Sequence, residues 1–501
     1  MISPIRSLLL LFYVACFCLL VMLFSPGELS LFGNETGFDV FTLSDFRSDR
    51  GQTPPKADLS FLDELKEDVD SLEESPPDTL TARPDAAQTD TLTSKPRPEL
   101  AETLREARQP IEYKNDNPAA LNHFYASLYQ LSQKPGRVRI VHYGDSQIEG
   151  DRISGYLRER LQRRFGGCGV GMVPFKLREN LRSTLSTESS ENWKKFAFID
   201  SKNDPTTDKL GMLASYYKFT PERDSAFVSK ARYANATFSD TRVAYKRNGQ
   251  VELLRFLFRN PHGELQTEVA FNNKILFSET IPQNPALTVF SYPLPEKRDY
   301  RSIKVRLASS GSPELYGFAM DCQTGVALDN VPLRGSSGVA FTKMDKKMLA
   351  AQFRDMDVKL LIVEFGVNVV PGQAESYRYY ENLYYRQLRF LKGLVPDLDI
   401  LVVGLSDMSR QRRGKYESYP NVPAIRNAQK RAAFRAGCAF WDLFEAMGGR
   451  NAMVSWVETD PPLGSPDYIH LSGRGAKLVG EMLYNAIMND YQEYKKRKLA
   501  Q

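Results

Sequence analysis

The sequence predicts a three-layer α/β/α domain with a parallel sheet, interrupted by an all-β sandwich of jelly-roll type and preceded by a transmembrane helix. Three observations carry that prediction. Strand and helix periodicities alternate toward both ends of the folded part. Short strand-like runs separated by turn residues fill its middle. An uncharged apolar run opens the chain.

That run extends from Leu8 to Phe24, long enough to cross a bilayer. Arg6 precedes it and Glu28 follows, so the positive-inside rule orients the remainder away from the cytoplasm. Residues 1–28 are therefore expected to be a membrane anchor, with the rest in the periplasm or extracytoplasmic space. A cleavable signal peptide is the rival, disfavoured because the run exceeds an ordinary h-region and no small-x-small site follows it. Lipidation at Cys16 is a lesser alternative.

Residues 29–115 read as a linker rich in Pro, Asp, Glu, Ser and Thr, including Pro54-Pro55 and Glu73-Glu74-Ser75-Pro76-Pro77. Such composition buries too little apolar surface to offset its ordering entropy. A flexible tether is expected, with a short helix around 61–72.

The 501 residues carry 66 basic and 61 acidic side chains, a net charge of +5 that gives no reason to invoke nucleic acid. Aromatics at 11% suit a folded core. Of five cysteines, Cys16 and Cys18 lie in the apolar run, while Cys168, Cys322 and Cys438 are widely spaced without a zinc pattern. Isolated buried cysteines are favoured over a single disulfide. No metal is expected.

Leu121, Phe124, Leu128 and Leu131 recur at helical spacing until Pro135-Gly136 stops them. A strand over 138–143 and a helix carrying Ile153, Leu157 and Leu161 complete a first α/β part, 116–175. From 176 to 325 the runs shorten: 226–228, 251–258, 267–271, 287–290 and 303–307, with Asn248-Gly249 and Ser309-Ser310-Gly311 among the turns. This is the predicted sandwich. The α/β rhythm resumes over 326–495, with strands at 358–364 and 398–404, helices at 375–394 and 422–437, and a last helix after Ser472. Ligands then gather at the carboxyl ends of the parallel strands.

An imidazole base must be His123, His142, His262 or His470. The first three fall in a helix, a strand and a turn of the insert, where structural roles are the better reading. His470 has Asp467 three residues upstream in a loop before a helix, the arrangement that lets a carboxylate hold an imidazole tautomer. Gly144-Asp145-Ser146-Gln147 lies between a strand and a helix, whose N-terminal N–H groups favour a developing anion. The plain alternative is that Asp145 and Ser146 cap the helix.

These residues together resemble the SGNH (GDSL-like) hydrolases. Gly144-Asp145-Ser146 resembles the first block, Asn330 to Ser336 the second, Gly366-Val367-Asn368 the third and Asp467-x-x-His470 the last. The resemblance implies Ser146 as nucleophile, His470 as base and Asp467 as its partner. It also implies an oxyanion hole from the N–H groups of Ser146 and Gly335 and the amide of Asn368, with no cofactor. Gly338 competes with Gly335, which is preferred for its spacing from Asn330. Two departures stand out: Val369 replaces an Asp that would orient Asn368, and the first block ends in Gln147 where Leu is usual.

The insertion resembles carbohydrate-binding modules found at this point in bacterial O-acetyl-peptidoglycan esterases, as do Phe440-Trp441-Asp442-Leu443, Met447-Gly448-Gly449 and Trp456. Core packing is preferred for Trp441 and Trp456. Gly166 to Gly171 follows a helix and lacks a Lys-Ser/Thr ending, so it reads as a turn into the insert rather than a phosphate loop. The implied activity is removal of O-acetyl groups from an envelope glycan. The alternatives are O-acyl transfer beside a membrane-bound O-acyltransferase and glycan binding without catalysis. Acylated glycan and membrane are the expected partners.

Overall fold

The computed structural model describes residues 57, 104–177, 182–197, 209–219, 232–241 and 245–500, and the backbone of 28–29 and 38–39. The apolar run 8–24, the helix expected over 61–72 and the run 226–228 lie outside the described residues. Among the described residues no helix is long and apolar enough to cross a membrane. Two units are present. One comprises 1–55 and 411–417, and within it Glu28–Leu29 pairs antiparallel with Phe38–Asp39. The other comprises 56–410 and 418–501 and holds everything that follows.

Its centre is a five-stranded parallel sheet in the order β2-β1-β3-β4-β5, where β1 is Arg137–Gly144, β2 Gly325–Pro332, β3 Val358–Glu364, β4 Asp399–Val403 and β5 Ala439–Trp441. Strand side chains alternate between faces. Val138 and Ile140 of β1 accordingly join one apolar core, and Val141 and Tyr143 the other. The first core is closed by α1 (Asn122–Leu131), α2 (Arg152–Phe165) and α6 (Gly473–Leu499). The second is closed by α3 (Lys346–Asp355), α4 (Arg378–Lys392) and α5 (Val422–Ala436). Burying a large apolar side chain is worth about 1.5–3 kcal/mol. The two apolar faces thus fix the three layers.

The body also reaches back into the sequence assigned to the linker. Glu112 exchanges backbone hydrogen bonds with Phe440 at 2.7 and 2.9 Å, and Trp441 donates its indole N–H to the Gln109 carbonyl at 3.0 Å. Ile111 and Tyr113 are buried.

The insert forms two antiparallel sheets. One orders Lys274–Ile281, Leu265–Phe271, Ser302–Ser309, Arg232–Ser239 and Ser186–Ser189; the other runs Asn284–Asp299, Gln250–Asn260, Glu314–Asp321, Ser215–Lys218 and Lys194–Ala197. Between them lies a core containing Phe175, Trp193, Phe238, Phe256 and Phe318. Gly171–Val173 pairs with the Glu314–Asp321 strand, so the sandwich draws on sequence before 176. The glycines ahead of it are needed for close approach. A Cβ on Gly169, whose φ is +81°, would lie 2.0 Å from the Met320 carbonyl oxygen.

One expectation is corrected here. Cys168 and Cys322 form a disulfide, and only Cys438 is a free cysteine among the described residues. Cys168 leaves α2 and Cys322 precedes β2, so the sandwich returns the chain to its starting point across a separation of 154 residues. Buried charges reinforce the joint: Arg139 of β1 pairs with Asp329 and with Asp321, and Arg255 of the sandwich donates to Asp321 at 2.8 Å.

Candidate active site

β1 ends on Gly144, where a Cβ would meet the Glu364 carbonyl oxygen and the Ile148 side chain at 2.9 Å. Its neighbour Asp145 is buried and caps the following turn: one carboxylate oxygen accepts from Gln147 N at 3.0 Å, the other from Gly366 N at 3.1 Å. Burial, aided by nearby Glu364, pushes this carboxyl up to about 7 despite those bonds. Asp145 thus ties the Ser146 turn to the loop after β3. The capping alternative therefore holds for Asp145, while Ser146 points elsewhere.

Ser146 Oγ lies 2.8 Å from His470 Nε2, and His470 Nδ1 lies 2.6 Å from Asp467. The other Asp467 oxygen accepts from Ile469 N and His470 N, both at 2.9 Å. Burial alone would raise the Asp467 carboxyl, but the hydrogen bonds from His470 and Ile469 outweigh it and hold it below the usual range. An ionised carboxylate here leaves Nδ1 as donor and Nε2 as the atom facing the serine.

Gly335 has φ +77° and nothing within 4 Å of where a Cβ would stand, whereas a Cβ on Gly338 would strike the Phe365 ring at 2.8 Å. Gly338 is thus explained by packing, and Gly335 stands at an open, exposed turn. That turn is drawn to β1 by the bond from Leu333 N to Gly144 O at 2.7 Å. Asn368 is exposed and donates from Nδ2 to the Ser336 carbonyl at 3.0 Å. The missing Asp at Val369 is offset by this bond, which orients the amide and leaves it a second N–H.

Sequence reasoning missed two residues. Gln147 donates to Ile469 O at 2.7 Å and Ser406 Oγ at 2.9 Å, and accepts from Leu471 N at 3.3 Å. Arg152 donates to Leu471 O at 2.7 Å and to Ser146 O at 3.2 Å. Together they join the serine turn to the histidine loop. The substitution of Gln for Leu after the serine was the available signal.

The other histidines are held elsewhere. His142 is buried between Glu364 at 3.1 Å and Ser154 at 2.9 Å, and His123 contacts Asp399 at 3.1 Å. His262 sits at the turn beside Gly311. Trp441 and Trp456 are fully buried, as core packing requires. Among the described residues no cluster of His, Cys, Asp and Glu has a metal-holding arrangement.

No family model and no curated protein matches the sequence. Among solved structures, a peptidoglycan O-acetylesterase is similar at a TM-score of 0.57 and 16% identity, over 75% of this chain and 98% of that one. A family two carbohydrate esterase from Cellvibrio japonicus matches at a TM-score of 0.23 and 9% identity, over 62% and 99% of the two chains. An acetyl xylan esterase matches at 0.24 and 15%, over 32% and 81%. The latter two likenesses are too loose to argue from. What the first establishes is the architecture: this chain's fold is similar to that of a solved peptidoglycan O-acetylesterase, sheet and insert together.

Proposed function

We propose that this protein is a serine esterase of SGNH type that removes O-acyl groups, acetyl foremost, from a cell-envelope glycan such as peptidoglycan. The observation that carries the reading is the relay from Ser146 through His470 to Asp467, with contacts of 2.8 and 2.6 Å at the carboxyl edge of the sheet. The fold likeness to a peptidoglycan O-acetylesterase supports the substrate class.

In this mechanism His470 Nε2 takes the Ser146 proton as Oγ attacks the ester carbonyl carbon. The N–H groups of Ser146 and Gly335 and the free N–H of Asn368 receive the oxyanion. His470 then returns its proton to the departing sugar oxygen, leaving an acetyl-serine. Water attacks that ester, gives a proton to His470 and releases acetate, and His470 reprotonates Ser146.

We place the chain outside the cytoplasm, anchored through residues 8–24. The Cys168–Cys322 disulfide supports an oxidising compartment. The test is acetate release from O-acetylated peptidoglycan by the full-length chain in detergent, beside Ser146→Ala. The variant should lose activity by about 10³-fold or more. Equal release by both would sink the enzyme reading, and acetyl transfer to an added acceptor glycan outpacing release would reverse hydrolysis in favour of transfer.

A further inference from the structure

The segment that follows Asn368 walls a cavity of about 790 Å³, lined on its other side by the start of α5. Val370 stands two residues beyond Asn368, so their Cα atoms are at most about 7.6 Å apart across two trans peptides. The Val370 carbonyl accepts from Asn421 at 2.8 Å, and Asn421 itself lines the cavity. The cavity therefore opens at the same carboxyl edge of the sheet as the proposed oxyanion site, between the loops that follow β3 and β4.

Its wall is built rather than loose. The Tyr377 hydroxyl donates to Gly372 O at 3.1 Å, and receives Ala374 N at 3.2 Å and Asn421 Nδ2 at 2.6 Å. Both donors of Asn421 are thereby used. Its Oδ1, on a side chain about nine-tenths buried, has no hydrogen-bond partner.

The chemistry of the lining defines that ligand. Gln373 and Asn427 line the cavity with two carboxylates and two guanidinium groups, so neither sign of charge prevails. Glu381 is already matched by Arg431 at 2.7 Å and Arg435 at 2.8 Å. Balanced, directional polar groups suit a polyhydroxylated chain better than an anion or an apolar acyl group.

We propose that this cavity is a saccharide subsite, holding the sugar units next to the esterified one and so selecting polymeric glycan over small esters. The proposal rests on the glycan-esterase reading given above. Its test compares kcat/KM on O-acetylated peptidoglycan with kcat/KM on p-nitrophenyl acetate, using the full-length wild type, a Gln373→Ala/Arg378→Ala double variant and Asn427→Trp to fill the space. Thermal melts check that each variant folds.

The polymer-to-aryl ratio should fall about tenfold, through KM, in the double variant and in Asn427→Trp, the loss expected for two hydrogen bonds. Ratios within about twofold of wild type in every folded variant reject the subsite, because tenfold corresponds to only 1.4 kcal/mol and smaller shifts are surface noise. A parallel loss on both substrates rejects it as well. Wild type that cleaves the aryl acetate but releases nothing from the polymer rejects the glycan reading, and the subsite with it.

Discussion

Gln147 donates to the carbonyl of Ile469 at 2.7 Å, so the residue after the proposed nucleophile grips the loop that carries the proposed base. Its Oε1 accepts from Leu471 N, and His470 is thus flanked on both sides by one side chain. Gln147 is a positioning residue: it touches no reacting atom. Gln147→Leu should lower kcat by about tenfold with little change in KM, since small misplacements of a general base slow the chemical step. The alkaline and acid limbs of the kcat profile should move as His470 loses its fixed setting. A profile and kcat identical to wild type would show that the clamp is merely structural.

Asn368 and Gly335 act on the oxyanion in the proposed mechanism, and the bond from Asn368 Nδ2 to Ser336 O couples the two turns. Asn368→Ala should cost on the order of 10²–10³ in kcat on an aryl acetate. Because the side chain is exposed, melting should shift by less than about 1 °C, the behaviour of surface substitutions. A large melting shift with a small rate effect would place Asn368 outside the oxyanion hole.

The disulfide closes the whole sandwich as one loop. Replacing Cys168 and Cys322 together by Ser should lower stability by about 2–4 kcal/mol. Denaturant unfolding measures it directly. The proposed esterase site lies on strands of the parallel sheet, so kcat at low temperature should be retained. Unchanged stability would mean that the buried Arg139, Asp321 and Asp329 cluster holds the joint without the covalent link.

Asp145 supplies a pH dependence of defined sign. Its folded carboxyl titrates at about 7, raised chiefly by burial, while in the unfolded chain it titrates near the ordinary 3.8. Between those values the native state keeps a proton that the unfolded state has released. Stability from this group therefore falls as pH rises through that window. Asp145→Asn, which cannot titrate, should show a smaller fall in Tm between pH 4.5 and 7 than wild type; equal falls would refute the assignment.

The sequence by itself was enough for the alternation of strands and helices and for the β character of the insert, and it nominated His470 for the proposed site. Ile140 and Val141 face opposite cores because backbone geometry sends successive strand side chains to opposite sides, a local rule that spacing displays directly. His470 was legible because few histidines exist and Asp467 is its near neighbour in the chain. Ser146 was legible through the turn that bears it and the ordered blocks it resembles, although 324 residues separate it from His470.

Only the tertiary structure decided the rest. The pairing of Cys168 with Cys322 depends on a sandwich that brings its two ends together, which no local cysteine spacing encodes. Ser336 replaces the expected partner of Asn368, and Gln147 reaches the histidine loop, because loops from β1, β2 and β3 and the loop before α6 converge at one edge of the sheet. Periodicity belongs to a segment and can be read along it. A polar partner is chosen through space, among groups that only folding brings within hydrogen-bond reach.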